Sequence, residues 1–139
     1  DWKKDIETLA CRSAEFPIIA DNDAAVSSTF EMLPAEAYTA DGGLLDTARA
    51  VRSLFIIGPD KKLKLSLFYP ASVGRNWAEV LRASDALQAV AKHSVALPAN
   101  WTVGEDVIIP SAVSDADAKA KFGEFEAVLP YVRTAKLPQ

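Results

Sequence analysis

The chain has 139 residues, half of them hydrophobic and 24% charged, with a formal net charge of −4 at pH 7. That composition suits one soluble globular domain with a real core, and its negative sign argues against a nucleic-acid partner or an anionic membrane surface. No apolar run approaches the roughly 18 residues that span a bilayer, so no stable membrane insertion is expected. The single Cys11 and single His93 allow no internal disulfide and leave too few ligands for a structural zinc site. One free cysteine suggests a reducing compartment, and a cytoplasmic location is expected. The opening Asp1-Trp-Lys-Lys-Asp5 is charged and no apolar core follows it, so no secretory leader is expected.

Trp2, Ile6 and Leu9 recur at helical spacing and predict the last part of an amphipathic helix. Phe16-Pro-Ile-Ile-Ala20 reads as a short buried strand, with Pro17 tolerated near its start. Asp21-Asn-Asp23 should cap a helix from about Ala24 to Leu33, its apolar face formed by Val26, Phe30 and Leu33. Pro34 to Leu45 carries Asp41-Gly-Gly43 and small residues and reads as an exposed loop.

The centre of the chain is Val51 to Trp77. Val51 to Ile57 is apolar almost throughout and predicts a strand covered on both faces. Gly58-Pro-Asp-Lys-Lys62 supplies a turn. Leu63, Leu65, Leu67 and Tyr69 then alternate with Lys64 and Ser66, the pattern of a half-solvated strand. The short spacing predicts an antiparallel hairpin, which Pro70 ends. Arg52 breaks the apolar strand. Either it reaches an edge and keeps its guanidinium in water, or it faces a pocket that holds an anion or polar ligand.

Asn76 should cap a helix, with Glu79 in capping-box position, running to about Lys92 and packing on the hairpin. Its apolar face is read as Trp77, Val80, Leu81, Leu87, Val90 and Ala91. The order helix, strand, helix, strand, strand, helix is an α/β pattern. Beyond His93 four prolines punctuate a segment of short apolar runs. Val107-Ile-Ile109 suggests a short strand, and Ser114-Asp-Ala-Asp117 a helix start, ending by Phe122-Gly123. Such a tail is expected to bury too little surface alone and to lie on its own domain or on a second subunit.

The run from Val51 to Asn76, with Glu79-Val-Leu-Arg82, Asp85-Ala-Leu-Gln88, Ala96-Leu-Pro-Ala-Asn-Trp101, Gly104 to Pro110 and Tyr131-Val-Arg133, resembles the 1-Cys peroxiredoxins of the peroxiredoxin-6-like branch. Asp1 to Ile6 and Phe16 to Asp21 fit as well. The resemblance implies a thioredoxin-like α/β fold, incomplete at its N-terminus, with an extended C-terminal dimerisation arm. Residues 1–93 would form the partial thioredoxin-like domain and 94–139 the arm. It implies reduction of hydrogen peroxide and organic hydroperoxides by a peroxidatic cysteine. It also implies regeneration by a thiol reductant of glutathione or thioredoxin type, or by an ascorbate-type one, without a metal or organic cofactor.

In that family an arginine at the position of Arg52 contacts the thiolate and the peroxide, and Arg75 aligns with a second arginine near the site. Arg49 is the competing position. A fixed cation lowers a thiol pKa and holds an oxygen ligand for attack. The departure is large. The family's Pro-x-x-x-Thr-x-x-Cys loop does not occur here, and Cys11 lacks its neighbours. The chain therefore carries supporting cations without a nucleophile, which a homodimeric whole or an N-terminal companion chain would supply. Some members also hydrolyse phospholipids, and Asp60 sits at the corresponding Asp, where a turn role is the simpler reading. The alternative is a non-catalytic dimerisation or protein-binding module.

Overall fold

The computed structural model describes residues 2–138. The chain divides into two compact units, the first ending at Val51 and the second beginning at Arg52. None of the described helices is long and apolar enough to cross a membrane.

The first unit holds helix α1 (Trp2–Ala10), the short helix α2 (Ala25–Thr29) and one 3₁₀ turn (Ala35–Ala37). The helix expected at the start is present, though Asp1 lies outside the described residues. It buries none of its residues, and Trp2 and Leu9 stay exposed. The strand expected over Phe16–Ala20 does not form, and Phe16, Ile18 and Ile19 are exposed. A strand needs a hydrogen-bonding neighbour, and no described residue pairs with this segment. The helix expected to reach Leu33 stops at Thr29, with Glu31 in the left-handed region at φ 52°. Its acidic cap does form. Both oxygens of the Asp21 carboxylate are engaged, accepting from the amides of Val26 and Ser27 and from the Ser27 hydroxyl. Those donors hold the Asp21 carboxyl below its ordinary range, the Ser27 hydroxyl most of all.

The second unit begins with the predicted hairpin. Strands β1 (Arg52–Ile57) and β2 (Leu63–Tyr69) pair antiparallel, with Arg52 opposite Tyr69 and Ser53 opposite Phe68. At the turn, the Gly58 amide donates to the Lys62 carbonyl, and Lys64 pairs with Asp60 at 2.7 Å. A Cβ on Gly58 would lie 2.8 Å from Asp60 Oδ1 and 2.5 Å from Lys64 Cε, so a larger residue there would displace the ends of the paired Asp60 and Lys64 side chains. Asp60 is thus a turn residue engaged with Lys64. β1 is covered less fully than its composition suggests: Ser53 is buried, and Leu54, Phe55 and Ile56 are half-buried. Among the described residues this sheet has two strands, and Ile57 and Phe68 are exposed.

Helix α3 (Trp77–His93) starts as predicted, with Asn76 Oδ1 accepting from the Glu79 amide at 3.2 Å. Its buried face differs from the one read off the sequence. Trp77, Leu81 and Val90 are exposed, whereas Ala83 is buried and Ala86 and Ala89 pack on Val95, Trp101 and Val107. Small residues win because they let the following segment approach the helix closely. Arg82 ties the same junction: its guanidinium bonds both Glu79 oxygens, at 2.6 and 2.8 Å, and the Trp101 carbonyl at 3.1 Å. Arg82 holds the Glu79 carboxyl below its ordinary value. A depressed folded pKa stabilises above the unfolded value and is lost as pH falls through the folded one. Urea melts between pH 7 and roughly pH 3 should therefore show an acid-side loss that Glu79→Gln flattens, since free glutamate titrates near 4.3. An unchanged acid slope in Glu79→Gln would remove this pair from the account.

Among the described residues, the segment beyond α3, expected to bury too little surface alone, lies against its own domain, on Ala86 and Ala89 of α3. Strand β3 (Val107–Ile109), helix α4 (Asp115–Phe122), and strands β4 (Glu126–Leu129) and β5 (Val132–Ala135) follow, with sheet order β3-β5-β4. Trp101, Val107 and Ile109 are its largest fully buried side chains. Phe122 contacts both this cluster and a second one of Ile109, Ala118 and Ala135. Ser114 caps α4 as predicted, accepting from the Asp117 amide, and Gly123 ends it at φ 77°. Ser114→Ala should cost about 1 kcal/mol of stability, read as a lowered urea midpoint at unchanged slope; an equal midpoint would refute the cap's role. The hairpin of β4 and β5 is not legible in the sequence, because β4 is exposed along its length and carries no buried face.

Candidate functional site

The two arginines singled out by sequence come to one end of the first hairpin. Arg52 opens β1 and is exposed; its Nε donates to the Ala71 carbonyl at 2.7 Å. Arg75 lies in the loop before α3 and is half-buried; its Nη2 donates to the Ser53 carbonyl at 3.1 Å. Pro70 makes this arrangement possible, because it ends the ladder after Tyr69 and turns the chain back toward the start of β1. Loop 70–76 is thus tied to two consecutive β1 residues by two guanidiniums.

Each tie uses a backbone carbonyl, which leaves the remaining guanidinium donors available. Among the described residues no carboxylate forms an ion pair with either arginine. Arg75 also stacks on Trp77, 5.9 Å from the ring centroid, which steadies the cation without neutralising it. Its Nε is buried without an acceptor, as is Ser53 Oγ. Such orphaned donors are costly in a folded protein and mark places where a further group is accommodated. The locus is therefore a pair of anchored, uncompensated cations, suited to hold an anion or an electron-rich oxygen.

Arg49, the competing arginine, belongs to the first unit, where its Nη1 donates to the adjacent Ala48 carbonyl. Cys11 is exposed, at φ 51°. His93 ends α3, and its carbonyl accepts from Lys121. No group of three or more His, Cys, Asp or Glu able to hold a metal occurs among the described residues.

Sequence reasoning missed Ser53, Ala71 and Trp77. Ser53 left a signal, a second polar residue beside Arg52 in an apolar strand. Ala71 left none, since a carbonyl acts here and every residue has one. Arg133 was also missed in its role. It is buried, donates to Asp115 and to the carbonyls of Pro110 and Val113, and stacks on Phe125. It lines a cleft of about 420 Å³, but these commitments make it a brace for the start of α4.

Comparison with known proteins adds the family. Residues 86–124 match the family model described as the C-terminal domain of 1-Cys peroxiredoxin. The chain is 45% identical over 138 residues to the mitochondrial peroxiredoxin PRX1 of Saccharomyces cerevisiae, covering 97% of this chain and 51% of that protein. It is 50% identical over 123 residues to 1-Cys peroxiredoxin B of Oryza sativa, covering 88% and 54%. A solved structure of a yeast mitochondrial 1-Cys peroxiredoxin, reported for its thiol resolving mechanism via glutathione/thioredoxin systems, superposes with a TM-score of 0.83 at 42% identity. It covers 97% of this chain and 63% of that one. A cysteine-to-serine mutant of peroxiredoxin 6 of Arenicola marina gives 0.84 at 36% identity, covering 99% and 64%.

The fold is that of the peroxiredoxins, α/β proteins of the thioredoxin-like class. Within that class the chain belongs to the 1-Cys peroxiredoxins, and the matched family domain is their C-terminal one. It spans about half the length of the curated relatives it matches.

Proposed function

We propose that this chain is the supporting portion of a thiol-dependent peroxidase that reduces hydrogen peroxide and organic hydroperoxides. The observation that carries the reading is the pair of anchored arginines, Arg52 and Arg75, with no carboxylate partner among the described residues. In the reaction a thiolate from polypeptide outside this sequence attacks one peroxide oxygen. The O–O bond breaks, the other oxygen leaves as water or an alcohol after taking a proton, and the sulfur becomes a sulfenic acid. A thiol then forms a mixed disulfide with release of water, and a second thiol restores the cysteine. The role of Arg52 is to stabilise the thiolate and to orient the peroxide, because cationic neighbours lower a thiol pKa and pre-aimed donors stabilise charge that develops on oxygen. Arg75 is assigned a secondary share of the same task.

The remaining assignments belong to the same reading. Residues 1–93 act as the partial thioredoxin-like domain and 94–139 as an arm for a homodimer or for an N-terminal companion chain. Glutathione or thioredoxin serves as the reductant, in keeping with the systems named for the yeast structure. The single cysteine favours a reducing compartment. The cytoplasm remains our assignment, with the mitochondrion of the yeast relative as the rival. Mixing this chain with the separately produced N-terminal part of a relative should restore hydroperoxide turnover that this chain alone lacks. A folded complex without turnover would overturn the catalytic reading and favour a purely structural module.

A further inference from the structure

We infer that the outer edge of β4, with the cleft beside it, takes a short extended peptide of basic and apolar residues as a further strand. This goes beyond the peroxidase reading and uses none of its residues. The sheet order β3-β5-β4 leaves one edge of β4 without a strand among the described residues. The opposite end of the sheet is partly covered, since Ala96 and Ile108 exchange backbone hydrogen bonds at β3. An open edge offers its N–H and C=O groups to any extended chain, and natural edges are blunted by lysine, proline or an inward charge. The four residues of β4, Glu126-Ala-Val-Leu129, include neither lysine nor proline and are all exposed. A bulge between Ala127 and Leu129 leaves Val128 out of the register with β5, 55% exposed.

The cleft supplies a place for side chains. Ala127 stands opposite Arg133 in the register, so the two share one face of the sheet. Both line the cleft of about 420 Å³ between β4 and the loop before α4, together with Val113, Phe125, Tyr131 and Ser114. Successive residues of a strand point to opposite faces, so an added strand sends every second side chain toward this cleft. Main-chain hydrogen bonds then give affinity and alternate side chains give specificity, as strand addition does generally. Charge decides the sign of the partner. Arg133, the cation in the cleft, is neutralised by Asp115, and Lys119 pairs with Glu124. Glu126 on the edge and Asp117, bonded to the Ser114 hydroxyl, form no ion pair among the described residues. The excess is acidic, so a peptide carrying lysine or arginine is attracted and an acidic one repelled.

The test uses the whole chain. The probe is an acetylated and amidated hexapeptide, Lys-Val-Thr-Val-Lys-Val. Its controls are the same peptide with glutamate for both lysines, and the lysine peptide N-methylated at alternate amides. Nitrogen-15 spectra should show a saturable one-to-one shift centred on residues 126–129, Val113 and Tyr131, and hydrogen exchange of the β4 amides should slow. The glutamate peptide should bind about tenfold more weakly, as two surface attractions become repulsions. The N-methylated peptide cannot complete the ladder and should not bind. Glu126→Lys should reverse the order of the two charged peptides, a result that misfolding cannot produce. Glu7→Lys, at an exposed position in the first unit, should leave that order unchanged. Equal binding of both charged peptides, binding that survives N-methylation, or shifts away from β4 would overturn the proposal. So would β4 protection that rises with protein concentration in the absence of peptide, because a second copy would then hold the edge. Arg52 and Arg75 take no part, so loss of hydroperoxide turnover and loss of peptide binding are separate results.

Discussion

Replacing Arg52 with glutamine should lower hydroperoxide kcat/KM in the complemented enzyme by roughly 10²-fold or more, the usual effect of losing one pre-aimed donor at a site of developing charge. Arg52 is exposed and tied by a single bond to the Ala71 carbonyl, so its removal should leave the fold intact. The loss should therefore appear in rate and not in stability. The thiol should also titrate at a higher pH, measured as the pH dependence of alkylation of the peroxidatic cysteine. Arg52→Lys should recover part of the rate, because an ammonium supplies charge but not the fork. Equal turnover in wild type and Arg52→Gln would break the link between the hairpin and the chemistry. A matched loss of urea stability would mean that the effect is structural.

Trp101→Ala should cost about 3–5 kcal/mol, the range for large aromatic truncations in a packed core. Trp101 is 1% exposed and packs with Val95 and Val107. Its indole donates to the Glu105 carbonyl, and its own carbonyl accepts from Arg82. Removal therefore opens a cavity where α3 meets the following segment and orphans an acceptor. Urea unfolding should show a large drop in midpoint. Trp101→Phe, which keeps most of the volume, should fold and lose less. A drop under about 1 kcal/mol in Trp101→Ala would show that this cluster does not hold the second unit together.

These two residues stand on different footings in the sequence. Arg52 is conspicuous because a guanidinium interrupts an otherwise mostly apolar run, Val51 to Ile57. Trp101 is just one member of a Pro- and Gly-punctuated stretch whose pattern suggests no core. Its burial depends on Ala86 and Ala89, which present a flat helix surface, and on Phe122, which joins both clusters. None of these contacts is local, so periodicity carries no trace of them. The same limit explains α3. Of the stripe Trp77, Val80, Leu81, Leu87, Val90 and Ala91, Val80 and Leu87 are half-buried while Trp77, Leu81 and Val90 are exposed, because the spacing of apolar residues marks which face is greasy and not which part of it meets a neighbour.

Local chemistry is readable from the sequence itself. The Gly58 turn, the Asn76 and Ser114 caps, the Gly123 stop and the pairing of Val51–Ile57 with Leu63–Tyr69 depend on neighbours a few residues away, where backbone sterics and short-range hydrogen bonds decide the outcome. The family resemblance is legible for the same reason, in ordered short motifs. Tertiary structure alone decided the rest. It joined Arg52 to Ala71 and Arg75 to Ser53 through carbonyls that any residue could offer, left Phe16 to Ala20 without a strand partner, and gave the segment beyond His93 a core. Those outcomes depend on which distant surfaces meet, and the free energy of that meeting lies in contacts between segments, not in any one segment's pattern.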